Sequence, residues 1–454
     1  MRFSSLLVFF TVLFISSAAA QTLEEKIGQM VMVGVPANQM AHDTLREDIT
    51  ERNLGGVILF AYNISSPSQV RNLNQELQDS SDTPLFIAVD QEGGLVARLD
   101  EHNGYKETYS AETLGENFDS EDSTREQARM MARWLNKAGF NVNLAPVVDV
   151  NVNRSSPAIG LLDRSFSSDE EEVYQHASWF IDEFHKKDIV TSTKHFPGHG
   201  SARSDSHFGF TDITNTWKQR ELVPYKKLIA DGYKDMVMTG HLFFKDWDDE
   251  DPVSLSHTAV TEKLRDSLGF QGLVITDDLF MGAITDNYGF QESLVKTINA
   301  GTDVMLFSTN IREERSLVRK IIKVVKRNVV QGHIEESTID AAYDRIMRLK
   351  EDRIITSSEE PLADAGQPRT LEIGNYPNPF NPITNIEIKV PRRQQLKVKV
   401  YNTLGQEIET LANRTFTAGK HHATFNGSGL ASGIYFIRVM GEDIMATHRM
   451  TLVK

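Results

Sequence analysis

The sequence contains no cysteine in 454 residues, which rules out disulfide scaffolds, thiolate zinc sites and cysteine nucleophiles together. Basic residues are the minority, 48 against 63 acidic ones for a formal net charge of −15. No stretch forms a basic stripe able to neutralise a run of phosphates, so nucleic acid is not expected as a partner. Long hydrophobic runs are missing beyond the first twenty residues. There, Arg2 supplies positive charge, Leu6 to Ile15 are nearly all apolar, and Ala18-Ala19-Ala20 offers small residues for cleavage, the composition of an export signal. The apolar run is shorter than the ~20 residues a membrane anchor needs. Residues 1–20 are therefore expected to be a signal peptide, with a soluble mature chain beginning near Gln21.

What is present is enough apolar surface, 40% of the side chains, for a large core and more than one domain. From residue 21 to 355, short apolar runs alternate with longer amphipathic stretches, the signature of repeated strand-then-helix units. Candidate strands fall at 30–35, 56–60, 85–89, 142–147, 189–193, 236–239, 273–276 and 304–307. Helical spacing marks 124–138, 170–187, 221–230 and 338–355, the last with Ser337 as its expected N-cap. Eight such units predict an α/β fold closed as a (β/α)8 TIM-like barrel, with a doubly wound open sheet as the rival. Asp90, Asp149, Lys194 with His195, His241 and Asp277 each lie at or just after the end of a candidate strand. In a barrel those ends converge on one face, where active sites are built. Residues 356–372, rich in Ser, Glu, Ala and Pro where they begin, are expected to be a linker. Residues 373–454 show short alternating runs at 385–390, 396–401, 422–425, 434–439 and 446–453, predicting a small all-β sandwich without a clustered catalytic set.

Three segments carry chemistry. Lys194 to His207 reads KHFPGHGSARSDSH. His195 and His199 have zinc-like i, i+4 spacing, but Pro197 and Gly198 between them argue against the helix that spacing requires. A phosphate loop fits less well still, because Gly198 and Gly200 lack the following Lys-Ser/Thr. In Asp205-Ser206-His207 the i, i+2 spacing lets the carboxylate bond the imidazole and tune it as a proton donor and acceptor. An unrelated surface Asp and His is the alternative. In LVITDDLFM, Leu273 to Met281, an apolar strand runs into two acids. Asp277 can point into the barrel mouth as a nucleophile while Asp278 turns outward or caps the next helix. In VDQEGGLVARL, Val89 to Leu99, Gly93-Gly94 allow a sharp turn beside Asp90 and Arg98, and Asp90 can either bond two sugar hydroxyls or serve as an N-cap. Arg164, in LLDRSF, is either a loop charge or a ligand clamp.

Together, GGVILF at 55–60, DQEGG at 90–94, DRSF at 163–166, KHFPGHG with SDSH at 194–207 and TDDLFM at 276–281 resemble family-three glycoside hydrolases, specifically their β-N-acetylglucosaminidase (β-hexosaminidase) branch. The resemblance covers the barrel region and implies Asp277 as nucleophile, His207 as acid/base and Asp205 as its partner. It also implies Asp90, Arg98, Arg164, Lys194 and His195 as sugar-holding residues. It points to retaining removal of terminal β-linked N-acetylhexosamine from oligosaccharides or cell-wall fragments, without a cofactor or metal. Two departures stand out. Leu95 occupies a position where many relatives carry a further Arg, and the export signal sits badly with a cytoplasmic recycling role. The tail, with NYPNPFNP at 375–382, VYNTLGQEI at 400–408 and LASGIYFIRV at 430–439, resembles the C-terminal sorting domain of the type nine secretion system. That implies the outer-membrane secretion machinery as partner and a secreted or cell-surface location, with a carbohydrate-binding sandwich as the alternative. Other readings of the barrel are a glycoside phosphorylase, a β-glucosidase, a silent sugar-binding surface protein, and a metal-dependent hydrolase using His195, His199, His207 and Asp277.

Overall fold

A computed structural model describes residues 21–37, 39–312, 315–355, 371–390, 394–403, 405–417, 419–441 and 445–453. The signal segment at 1–20 and nearly all of the linker at 356–372 lie outside the described residues. The chain splits near residue 360 into two compact units.

All eight barrel strands are present: β1 (Val31–Gly34), β2 (Gly56–Leu59), β3 (Phe86–Val89), β4 (Val142–Asn143), β5 (Val190–Phe196), β6 (Met236–Thr239), β7 (Leu273–Thr276) and β8 (Met305–Phe307). Every residue in them is buried, as expected of parallel strands covered by helices outside and packed side chains inside. Their order is β8-β1-β2-β3-β4-β5-β6-β7, and a parallel bridge between Ile275 and Val304 joins the two ends. That closure removes the open doubly wound sheet. β4 is shorter than expected because Pro146 follows within three residues and has no amide to give the ladder. β5 is longer, so Lys194 and His195 are strand residues rather than loop residues.

The helices follow local signals. Asp169 caps Glu170–His185 by accepting the Glu171 and Glu172 amides, with three acids in the first turn facing the helix dipole. Gly139, at φ 83°, ends Glu121–Ala138 in the left-handed conformation that a side chain would resist. The expected helix at 221–230 is a short turn, Gln219–Leu222, followed by Val223–Ala230. Ser337 is not an N-cap: Glu335 holds that position and Ser337 lies inside Glu336–Lys350.

Among its described residues the second unit has seven strands: β9 (Glu372–Tyr376), β10 (Ile383–Val390), β11 (Gln394–Asn402), β12 (Glu407–Phe416), β13 (Gly419–Asn426), β14 (Gly433–Met440) and β15 (Met445–Leu452). They form a three-stranded sheet, β9-β10-β13, and a four-stranded sheet, β12-β11-β14-β15. Ile386, Ile388 and Phe425 of the first share one apolar core with Val398, Val400, Ile437 and Val439 of the second. This is the alternating architecture of a sandwich.

Candidate active site

The strand ends of the barrel gather a charge network that begins with two cations and two carboxylates, all largely buried. Lys194, on β5, places Nζ 2.7 Å from Glu92 Oε1 and 2.8 Å from Asp90 Oδ1. Arg164 grips the other side of Glu92, with Nε 2.9 Å from Oε2 and Nη2 2.8 Å from Oε1, and its Nη1 donates to the Ala158 carbonyl. Two cations between two carboxylates make a balanced cluster, the condition under which buried charge is tolerated. Burial opposes ionisation of Glu92, but Arg164 and Lys194 overcome it and hold that carboxyl well below its usual range. Arg98 stands further off, Nη2 to Asp90 Oδ2 being 3.8 Å.

A second cluster sits beside it. Asp149 is buried and accepts three bonds: from the His195 ring at Nδ1 (2.7 Å), the His195 amide (3.0 Å) and the His199 amide (2.7 Å). A carboxylate only accepts, so Nδ1 of His195 carries the proton and Nε2 is left facing Arg164 Nη2 at 3.4 Å. His199 bonds Ser206 Oγ through Nε2 at 3.1 Å. Burial, together with His195, lowers it to about 4. The zinc-like spacing therefore leads to separate partners. Among the described residues, no group of three or more His, Asp or Glu side chains is placed to hold a metal ion.

Asp277 follows β7 with its amide on the Thr239 carbonyl at 3.1 Å, while its Oδ1 accepts the Asp278 amide at 2.8 Å. Burial raises its pKa, yet His195, His241, His207 and that amide outweigh it, and Asp277 is held at about 2. It is an ionised, partly exposed carboxylate near three imidazoles. Asp278 neither turns outward nor caps the helix after it. Its Oδ1 accepts the Phe280 and Ser308 amides, both at 3.0 Å, which ties the end of β7 to the end of β8. The N-cap position of the short helix Gly282–Thr285 belongs to Met281. His241, after β6, bonds Ser254 Oγ at 2.7 Å and the Asp278 carbonyl at 3.0 Å.

The loop leaving β5 brings Asp205 and His207 together as their spacing suggested. Asp205 Oδ1 accepts both the His207 amide (2.9 Å) and ring Nδ1 (2.7 Å). Burial pushes the Asp205 pKa up, but these bonds and the imidazole bring it below the ordinary value. Nδ1 must again carry the proton, which leaves Nε2 as the free atom of a half-exposed ring. The Gly282 and Ala283 amides donate to the carbonyls of His207 (3.3 Å) and Ser206 (3.4 Å). The dyad is thereby fastened to the residues that follow Asp277.

The structure thus brings Asp90, Arg98, Arg164, Lys194, His195, Asp205, His207 and Asp277 to one mouth. Lys194 bonds one oxygen of Asp90, so a ligand hydroxyl would share that carboxylate with the lysine, the other oxygen being 3.8 Å from Arg98 Nη2. Glu92 was missed among the candidate site residues, although two candidate cations, Arg164 and Lys194, converge on it.

A model of the glycosyl hydrolase family 3 N-terminal domain matches residues 22–349, and one of the secretion system C-terminal sorting domain matches residues 375–453. A beta-hexosaminidase from Tolumonas auensis is 37% identical over 269 residues, covering 58% of this chain and 78% of that protein. Beta-hexosaminidase A from Pseudoalteromonas piscicida is 30% identical over 329 residues, covering 67% of this chain but only 54% of its own length. Among solved structures, a glycoside hydrolase family 3 beta-N-acetylglucosaminidase from Paenibacillus sp. str. FPU-7 superposes with a TM-score of 0.69 at 34% identity, over 76% of this chain and 65% of that one.

Proposed function

This chain belongs to glycosyl hydrolase family 3 and ends in a secretion-system sorting domain, and from that premise we propose that it is an exported, retaining, exo-acting β-N-acetylglucosaminidase. The observation that carries the reading is the Asp205–His207 dyad, fastened by the Gly282 and Ala283 amides beside the ionised Asp277. The beta-hexosaminidase and beta-N-acetylglucosaminidase names of the relatives support the substrate class.

The reaction is a double displacement. The Asp277 carboxylate attacks the anomeric carbon as the glycosidic C–O bond breaks, and Nε2–H of His207 protonates the departing oxygen. His207, now neutral, takes a proton from water. That water displaces Asp277 and restores its carboxylate, so configuration at the anomeric carbon is retained. Asp205 holds Nδ1–H, fixes the tautomer and stabilises the imidazolium form. Lys194, Arg164, His195, Asp90 and Arg98 hold the terminal sugar, with Glu92 locking the first two in place.

The sorting domain supports delivery outside the cell. With residues 1–20 as signal peptide, the chain crosses the inner membrane first and then reaches the outer membrane through the type nine machinery. The test is release of nitrophenol from the β-N-acetylglucosaminide and the β-glucoside by purified protein, with and without phosphate. Preference for the first substrate and a free-sugar product support the reading. Preference for the glucoside, or a sugar phosphate product, refutes it.

A further inference from the structure

The segment 205–208 closes a tight turn, with the Phe208 amide donating to the Asp205 carbonyl at 3.1 Å. Within that turn Ser206 points inward, buried, and bonds His199 Nε2 at 3.1 Å. The turn is therefore pinned from below, and the two residues that follow are presented outward together. His207 is the proposed proton donor. Phe208 is 87% exposed, although a phenyl ring is a side chain that water disfavours. Its placement is constrained on the protein side as well. A Cβ built on Gly282 would lie 3.2 Å from the Phe208 carbonyl carbon and the Gly209 amide nitrogen, so the turn lies directly on the residues that follow Asp277. Two residues on, Phe210 is 52% exposed and braced against Phe243 at 5.0 Å between ring centroids.

Exposed apolar side chains are not scattered over the barrel unit. Of the eight large ones among the barrel unit's described residues, only Val330 lies outside the segments that leave the site-bearing ends of the strands. The side of the barrel that carries the strand ends therefore also carries most of its exposed apolar side chains.

Given the reading of His207 as proton donor to the glycosidic oxygen, on which this inference rests, the sugars divide on either side of that oxygen. The terminal sugar lies toward Asp277 and the charge network, and the leaving sugar lies on the outer side of His207. Phe208 is the next residue in the chain, its exposed ring centred 6.4 Å from that of His207. A pyranose in the β configuration offers a face of C–H groups, and an exposed phenyl ring matches it. We propose that Phe208 is the stacking platform for the leaving-group sugar, so that this site selects oligosaccharides ending in β-linked N-acetylglucosamine over substrates with small aglycones.

The test compares the trisaccharide of β-1,4-linked N-acetylglucosamine with N-acetyl-β-glucosaminyl fluoride, whose leaving group cannot stack. The readout is the ratio of kcat/KM values, trisaccharide over fluoride, in wild type, Phe208→Ala and Phe208→Trp. Loss of one aromatic contact is expected to lower the ratio about ten-fold in Phe208→Ala, mainly through KM for the trisaccharide. Phe208→Trp should restore it. An unchanged ratio in Phe208→Ala, or an equal fall in Phe208→Trp, overturns the proposal while leaving the glucosaminidase reading intact. A wild type that turns over neither compound overturns that underlying reading and this one with it.

Discussion

Glu92 offers the sharpest test of how the charge network is held together. Its two oxygens receive Arg164 Nε at 2.9 Å, Arg164 Nη2 at 2.8 Å and Lys194 Nζ at 2.7 Å. In Glu92→Gln an amide NH2 replaces one oxygen and faces a guanidinium or ammonium, neither of which can accept. At least one charge-assisted bond is lost, at about 1.5–3 kcal/mol, and of the carboxylates around the two nearly buried cations only Asp90 and, for Arg164, Asp149 remain. Breaking a buried pair in this way costs about 3–5 kcal/mol, and because Gln retains some acceptor capacity the lower end, about 3 kcal/mol, is expected. With a specific unfolding entropy of ~2.1 cal/mol/K per residue over about 330 residues, that lowers Tm by roughly 4 °C. Thermal unfolding of the variant beside wild type measures it, and the same preparation should show KM for the N-acetylglucosaminide raised on the order of ten-fold as Arg164 and Lys194 lose their anchor. A Tm within about 1 °C of wild type with an unchanged KM would refute the claim that Glu92 organises the sugar-holding cations.

Three further outcomes follow from the same geometry. His207→Ala should slow cleavage of poor leaving groups by ~10²–10⁴-fold and of nitrophenyl substrates much less; equal losses on both would contradict the acid role. Burial raises Glu221 to about 8 from 4.5, so as a neutral acid beneath the dyad loop it adds stability that is complete below pH 4.5 and lost as pH rises through 8. Denaturant unfolding of wild type should therefore weaken, relative to Glu221→Gln, between those pH values, whereas parallel profiles would count against it. Deleting residues 373–454 should leave turnover of soluble substrate near wild type and stop delivery to the cell surface in the native host, and loss of turnover would instead make the β-unit part of the catalytic domain.

Much of the barrel was legible because parallel strands buried on both faces must be written as continuous apolar runs, such as VMVG and LVIT. The dyad was legible because two residues at i, i+2 can meet without any knowledge of the fold. Glu92 was not, since a carboxylate three residues beyond the strand end gives no local signal. The clue lay in charge balance, because Lys194 and Arg164 were both expected at the site with Asp90 as the only carboxylate among the sugar-holding residues, and buried cations need more. Asp149 and His241 were noticed as strand-end polar residues, but their partners, the His199 amide and the Asp278 carbonyl, come from other loops and carry no sequence pattern. Two strands of the second unit also escaped. β12 is an edge strand, largely exposed on both faces and bulged against β11, so its EIETLANRTF run shows no clean alternation. β9 is a five-residue edge strand containing Gly374 and no buried residue.

The central claim is that Asp277, held at about 2 by the surrounding imidazoles against the effect of burial, becomes covalently bonded to the sugar. A fluorinated N-acetylglucosamine donor that forms the intermediate quickly and hydrolyses it slowly should inactivate the enzyme with one-to-one labelling, and digestion followed by mass spectrometry should place the label on a peptide containing Asp277. Labelling at any other residue, or inactivation without a covalent adduct, would contradict the account.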